Sequence, residues 1–337
     1  MLYVAYIGFG VSVREYHIPY VEDREDIKVK YVFRRQEDIE KFKDYEPFYP
    51  EITFTTNIDD ILNDKEINLV VISAPDAFHV PYAKQCLNAG KNVLCEKPFA
   101  KTSKEAKEVF DLAKEKGLVI MPNHNRRFDG DFLAVKEVIA SGKLGDLVKL
   151  ESHYDYFKKD GWNQLPALYN LGVHTLDQLI GLFGIPDKKF IDARSIHNPG
   201  TADDYYDFEF FYGNFKATLG TSMCVMIDYP RFTVHGTNGS LILPPLIHNS
   251  GKKKVVGRHV VNKEILSEDR WGTLIYMKDG EKVSEKVPVG PAHYERIYDN
   301  LIGQIFEGKE KLVKDEEVIK ELEIIEEASK IASEFKL

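Results

Sequence analysis

The sequence predicts an α/β protein: an N-terminal doubly wound parallel sheet, then an α+β domain with an open, mostly antiparallel sheet. Three observations carry that reading. Short apolar runs alternate with amphipathic stretches six times before Pro122, the order that builds a parallel sheet with right-handed crossovers. The first apolar run ends at two closely spaced glycines. After Pro122 the texture changes to long strand-like runs in succession, joined by short turns. A length of 337 residues can bury two cores, and the boundary is placed to give domains 1–121 and 122–337.

Each element follows from local chemistry. Leu2–Ile7 is apolar and stops at glycine, as a strand covered on both faces does. A helix is expected from Val13 to Val21, then a strand at Ile27–Phe33 and a short one at Ile52–Thr55. Asn57 can cap a helical turn through Leu62. Leu69–Ser73 is β-branched and apolar. Val80–Ala89 is helical and closes on Gly90. Asn92–Cys95 is a strand, Thr102 or Ser103 caps a helix to Lys116 closed by Gly117, and Leu118–Met121 is the sixth strand. Beyond Pro122, helices are expected at about 132–141, 173–183, 292–307 and 315–335. Strands are expected at Leu147–Phe157, Phe190–His197, Tyr205–Tyr212, Phe215–Val225, Arg231–His235, Thr273–Met277 and Lys282–Val287. The last two are joined by the turn Lys278-Asp279-Gly280-Glu281. Asn249–Lys263, with Lys252, Lys253 and Lys254, reads as an exposed loop.

Composition narrows the function. The chain is 43% hydrophobic and 29% charged, with 45 basic and 54 acidic residues and a net charge of −9. That balance is expected to exclude a general nucleic-acid surface, which needs a basic face. No apolar run approaches the ~20 residues of a membrane helix, and the N-terminus enters a strand with no basic region or cleavage site before it. The three cysteines, Cys86, Cys95 and Cys224, fit no metal or redox spacing. They read as buried, reduced thiols of a cytoplasmic protein, and no metal is expected.

The strongest local signal is Gly8-Phe9-Gly10, between the first strand and a helix. Two glycines there allow a tight turn and close backbone approach to a pyrophosphate, and Ser12 can add a hydroxyl. A full Rossmann fingerprint carries a third glycine where this chain has Val13. The second strand ends Phe33-Arg34-Arg35. An acid at that point accepts from the ribose 2′-hydroxyl of NAD, whereas guanidinium groups suit a 2′-phosphate. The pair favours NADP, with NAD still possible. Ser73, Ala74 and Pro75 end the fourth strand, where ligands bind in such sheets. His79 either joins them or is a helix-start residue with no ligand. The fifth strand ends Cys95-Glu96-Lys97-Pro98, which puts a carboxylate and an ammonium where substrate meets the nicotinamide. Lysine there can steady a developing alkoxide or relay a proton.

Taken with His17-Ile18-Pro19, the stretch Ala89-Gly90-Lys91-Asn92-Val93-Leu94-Cys95-Glu96-Lys97-Pro98 resembles the Gfo/Idh/MocA oxidoreductases. Asn125-Arg126-Arg127-Phe128 and Leu171-Gly172-Val173-His174-Thr175-Leu176-Asp177 extend the resemblance over nearly the whole chain. Arg34-Arg35 and the Asn-Arg-Arg-Phe segment are similar to the NADP-dependent scyllo-inositol dehydrogenase branch. The resemblance implies hydride exchange between nicotinamide and a hydroxyl or carbonyl of a sugar, polyol or inositol. It also implies a homodimer or homotetramer formed through the C-terminal sheet. Lys97 matches the family's active-site lysine and His174 its acid–base histidine, a residue type that when unperturbed changes charge near neutrality. Asn170 departs from the family, which places Asp four residues before that histidine. It either binds a substrate hydroxyl or marks altered chemistry, and Asp177 is a candidate replacement carboxylate. A cofactor-binding sensor without catalysis is the alternative that Asn170 raises.

One of Arg126 and Arg127 is expected on cofactor or substrate, with Arg126 the candidate. The other is expected to hold the domains together. Strand alternation puts Tyr154 and Tyr156 on one face and His153 on the other. Tyr154 is the substrate-floor candidate. Trp162 and Tyr169 flank a loop, Lys158–Leu168, that could cover a cleft.

Overall fold

The computed structural model describes residues 1–160, 166–245, 257–261 and 263–335. The described chain forms two compact units. One contains Met1–Asn125, the described part of Gly251–Asn262, and Tyr294–Ile319. The other contains the described parts of Arg126–Ser250, Lys263–His293 and Lys320–Leu337. The units are therefore not a single cut of the chain, because a C-terminal segment returns to the first.

The first unit is a six-stranded parallel sheet in the order β3-β2-β1-β4-β5-β6. Its strands are β1 (Leu2–Ile7), β2 (Ile27–Phe33), β3 (Thr53–Thr55), β4 (Leu69–Ile72), β5 (Asn92–Cys95) and β6 (Ile120–Pro122). Every residue of β4 is buried, as expected of a central strand covered on both faces. Four helices lie along this part of the chain: α1 (Ile39–Phe42), α2 (Asp59–Leu62), α3 (His79–Asn88) and α4 (Ser103–Lys116). Thr102 caps α4 by accepting from the Glu105 backbone N–H at 3.1 Å, while Glu105 reaches back to the Lys101 N–H. Gly117 closes it in the left-handed conformation. Asn57 accepts from the Asp59 N–H at 3.2 Å at the start of α2.

The helix expected over Val13–Val21 takes another form. Val13–His17 is a π-helical turn and Ile18–Tyr20 a 3-10 turn. Pro19 has no N–H to continue a regular ladder, so the segment changes hydrogen-bond register there.

The second unit holds an eight-stranded sheet in the order β14-β13-β12-β11-β7-β10-β9-β8. The strands are β7 (Leu147–His153), β8 (Lys188–Arg194), β9 (Tyr205–Tyr212), β10 (Phe215–Ser222), β11 (Phe232–Gly236), β12 (Gly239–Leu243), β13 (Gly272–Lys278) and β14 (Glu281–Val287). The β7–β10 pair is parallel and the other named pairs are antiparallel. Helices α5 (Gly130–Ala140) and α6 (Val173–Phe183) bury Val135, Leu176 and Ile180 in one cluster with Leu150, Ala217, Phe208 and Phe232 of the sheet. The opposite face leaves Phe190, Ile242 and Met277 exposed. Strand β12 was not foreseen: it is five residues long and opens on Gly239-Ser240, too short for an alternation signal. The expected β13–β14 turn is present, with Asp279 and Gly280 both at positive φ, as a two-residue hairpin requires.

Helices α7 (Glu295–Glu307) and α8 (Asp315–Glu334) complete the order. No described helix is long and apolar enough to cross a membrane. Cys86 and Cys95 are buried as expected, but Cys224 is exposed, because it lies past the end of β10 rather than inside the sheet.

Candidate cofactor and active site

A cleft of about 310 Å³ opens at the carboxyl ends of β1, β2 and β4. Gly8, Phe9, Gly10 and Ser12 line it from the first turn, Arg34 and Arg35 from the second strand, and Ser73, Ala74 and Pro75 from the fourth. The sequence reading therefore drew together residues that the fold does assemble. Gly8 has a φ of +105°, and a Cβ there would lie 2.3 Å from the Ser73 carbonyl oxygen. Only glycine lets β1 and β4 turn so close together. A Cβ at Gly10 would meet no protein atom within 4 Å, so the turn leaves room beside it. Phe9 is 1% exposed and meets Phe42, Tyr49 and Phe54 edge-on at 4.9–5.6 Å. Its ring anchors the glycine turn and leaves the backbone to face a ligand. Val13, in the third-glycine position, is fully buried and does not line the cleft.

The arginines of β2 differ. Arg34 donates to both carboxylate oxygens of Glu46, and its side chain is 11% exposed. Arg35 is 43% exposed and pairs with Asp38 at 2.9 Å and Glu37 at 3.0 Å. Lys41 and Asp38 also line the cleft. Sequence reading missed both, although each lies within six residues of Arg35.

Glu96 is drawn inward. Its Oε1 accepts from Ser12 Oγ, from Asn123 Nδ2 at 2.9 Å and from His17 Nε2 at 2.9 Å. Its Oε2 accepts from the Lys97 backbone N–H at 3.2 Å. Burial alone would raise the Glu96 pKa, but His17, Ser12 and Asn123 outweigh it and bring it down to about 2. Glu96 is thus an ionised acceptor, and His17 Nε2 must be the donor in that contact. The other His17 nitrogen meets the Tyr298 hydroxyl at 2.7 Å, and Tyr298 meets Tyr6 at 3.0 Å. Burial pushes both phenols well above their ordinary range. This network ties the glycine turn to the Lys97 turn through one carboxylate. Of its members, Ser12 and Glu96 were read as cofactor contacts. Tyr298 lies 292 residues from Tyr6 and gave no signal in sequence.

His79 does not line the cleft. It is 1% exposed, and its ring nitrogens lie 2.8 Å from the Pro98 and Ala74 carbonyl oxygens. Lys91 of the Ala-Gly-Lys stretch is buried and donates to the Asp64 and Ile67 carbonyls at 2.5 and 3.3 Å. Burial lowers its pKa. Asn92 takes the Val119 N–H and donates to the Asn68 carbonyl. Much of that motif is therefore scaffold that delivers Glu96 and Lys97.

In the second unit, Asn170 and His174 lie across the junction of a π-helical turn (Leu168–Gly172) and α6. His174 is 6% exposed. The Asn170 amide donates to the Pro166 carbonyl at 3.0 Å. Arg127 grips Asp177 through Nε at 3.0 Å and Nη2 at 2.7 Å, with both side chains under 9% exposed. Gly181 makes that possible, since a Cβ there would lie 2.6 Å from the Arg127 guanidinium carbon. Arg126 pairs with Asp129 at 3.3 Å, and its carbonyl accepts from Gln178. Gln178 in turn accepts from Arg231, a 2% exposed cation that also donates to Ser152. Tyr154 is 8% exposed beneath that guanidinium, 5.0 Å from it. Residues 161–165, including Trp162, lie outside the described residues, as do Lys252, Lys253 and Lys254.

Comparison with known proteins fits this geometry. A family described as "Oxidoreductase family, NAD-binding Rossmann fold" matches residues 2–124. Its partner, "Oxidoreductase family, C-terminal alpha/beta domain", matches residues 136–335. The chain is 44% identical over 338 residues to the uncharacterized oxidoreductase YhhX of Escherichia coli, covering 98% of this chain and 96% of that one. It is 27% identical to the scyllo-inositol 2-dehydrogenase (NADP(+)) IolW of Bacillus subtilis, covering 98% and 94%. Among solved structures, an oxidoreductase from Bacillus cereus superposes with a TM-score of 0.86 at 40% identity, covering 97% and 95%.

Proposed function

This chain belongs to the Gfo/Idh/MocA family of oxidoreductases, and from that premise we propose that it moves hydride between NADP and a sugar, polyol or inositol. The observation that carries the cofactor choice is the cleft itself. Arg35, two residues past β2, and Lys41 of α1 both line it, and arginine follows the strand where an NAD site carries an acid. The substrate class rests on the similarity to a scyllo-inositol dehydrogenase and on the residue types at 97, 170 and 174.

A bound nicotinamide dinucleotide supplies the hydride acceptor. Lys97 steadies the substrate oxygen as negative charge develops, held in place through its backbone by Glu96. His174 takes the hydroxyl proton in oxidation and returns it in reduction. Asn170 orients a hydroxyl through its amide but takes no proton. We assign assembly to the open face of the eight-stranded sheet, where Phe190, Ile242 and Met277 are exposed, with a second copy of the chain as partner and the cytoplasm as its place of work.

The test is a reduction screen over inositols, other polyols and aldoses with NADP and NAD side by side. Turnover with at least one of these, faster with NADP, is expected. Lys97→Ala should lower kcat by a factor of about 100 or more. Full turnover in Lys97→Ala, or equal use of NAD, would remove the respective assignment. Light scattering of the intact chain checks assembly.

A further inference from the structure

The buried histidine at the head of α3 stands apart from the catalytic assignments. His79 Nδ1 lies 2.8 Å from the Pro98 carbonyl oxygen, and Nε2 lies 2.8 Å from the Ala74 carbonyl oxygen. The residue is 1% exposed. Neither carbonyl has a hydrogen to give, so each bond needs an N–H from the ring. A neutral imidazole has one N–H and one lone pair, and only the imidazolium has two. With a neutral ring, one of these contacts would set a lone pair against a carbonyl oxygen.

The two carbonyls belong to turns that matter. Ala74 sits between Ser73 and Pro75 on the wall of the cofactor cleft. Pro98 follows Lys97. We propose that His79 is a positioning residue, a doubly protonated ring that fixes the turn after β4 to the turn after β5 and thereby sets the cleft wall against the lysine. It touches neither cofactor nor substrate. The part of this proposal that concerns the cofactor rests on the function proposed above.

Charged groups on the surrounding segments include Asp76 on the turn before α3, Lys84 on α3, Glu96 and Lys97 after β5, Lys101 before α4, and Lys104, Glu105 and Glu108 of α4, while Tyr82 and Cys86 are titratable groups of α3 itself. Lys84 is paired with Glu108 of α4 at 2.9 Å, and Glu96 is held by His17, Ser12 and Asn123. The carbonyl dipoles of Ala74 and Pro98 are the groups aligned on the ring nitrogens.

Two measurements decide it. Long-range nitrogen–proton correlation spectra of the intact chain at pH 7 read the ring directly. His79 is identified by the signals lost in His79→Gln or, in the wild-type chain, by linking the ring to its own backbone. Two protonated ring nitrogens are expected, and one bare nitrogen overturns the proposal. Fluorescence titration with NADPH at pH 7 reads the consequence. His79→Gln, which cannot reach both carbonyls as the ring does, should bind NADPH about tenfold more weakly than wild type, a loss read against the thermal midpoints of the two proteins. Equal NADPH affinity, or a loss matched by general unfolding, overturns the positioning role. Absence of NADPH binding by the wild-type chain would instead sink the NADP assignment, and the spectrum would still decide the state of the ring.

Discussion

The chain carries two arginine pairs close to the carboxyl ends of parallel strands, and they are built for different work. Arg34-Arg35 follows β2, and Arg126-Arg127 follows β6. In each pair one guanidinium is clamped by two bonds to a carboxylate: Arg34 by Glu46 and Arg127 by Asp177. The other keeps more contact with water, Arg35 at 43% and Arg126 at 26% exposure. The clamped members differ in depth. The Arg127–Asp177 pair is buried, with Asp177 on α6 itself, while Glu46 keeps 20% of its side chain exposed. Identical dipeptides in sequence thus yield a buried strut, a half-buried brace and two cations with access to solvent. The difference comes from which carboxylate the fold delivers, and from how far.

The sharpest way to break this comparison is to remove the strut. Arg127→Met takes the guanidinium away from the buried Asp177 carboxylate, which should cost about 3–5 kcal/mol. Denaturant unfolding followed by far-ultraviolet circular dichroism measures it. Pairing that change with Asp177→Leu removes both charges and should recover most of the loss, because the cost lies in the uncompensated ion. A single variant as stable as wild type would mean that the bidentate contact is idle.

A comparable effect is expected from Glu96, the carboxylate that the first unit keeps ionised. Its pKa is depressed to about 2 in the folded chain, below the unfolded value of about 4.3. Its contribution is therefore present above the unfolded value and is lost as pH falls from about 5 towards 2, amounting to ~3 kcal/mol. Acid unfolding of Glu96→Gln should show a shallower dependence on pH across that window. An unchanged slope would show that the His17, Ser12 and Asn123 contacts do not hold the charge.

How much of this was legible in sequence follows the range of the interactions involved. The parallel order of β1 to β6 and the cleft at Gly8-Phe9-Gly10 depend on neighbours in sequence and on a short list of allowed crossovers, so apolar runs and glycines announced them. The same locality made Arg34 and Arg35 visible as candidates. It could not say that Glu46 takes Arg34, because that choice depends on how the chain after α1 folds back. Asp177 stood out in sequence only beside His174, three residues away, whereas the fold also sets it against Arg127, fifty residues away. The His17–Tyr298–Tyr6 chain and the two carbonyl contacts of His79 are invisible for the same reason. A tyrosine in a C-terminal helix, or a backbone carbonyl nineteen residues on, leaves no mark on a local pattern. Glycines that admit a neighbour mislead in the other direction: Gly181 inside α6 reads as a weak helix position but exists to seat a guanidinium.

Arg35 is where the comparison turns into specificity. Arg35→Ala should weaken NADPH binding by a factor of about 10, the loss of one charge-assisted contact, and leave NADH binding unchanged. Fluorescence titration with both nucleotides measures the ratio. An equal loss for both would place Arg35 on the pyrophosphate or make it structural, rather than a reader of the 2′-phosphate.

The smallest effect is the most discriminating about the brace. Glu46 holds Arg34 with both oxygens and sets a negative charge close to where a 2′-phosphate would arrive. Glu46→Gln keeps the size and one acceptor but removes that charge, so Arg34 is freer to turn towards the cleft. The pair is partly open to water, so screening limits its worth to ~1 kcal/mol or less. NADPH should therefore bind up to about fivefold more tightly, with NADH unaffected and the thermal midpoint slightly lowered. Weaker NADPH binding would mean that Glu46 aims Arg34 at the phosphate rather than withholding it, and the two members of the β2 pair would then act together instead of dividing brace from contact.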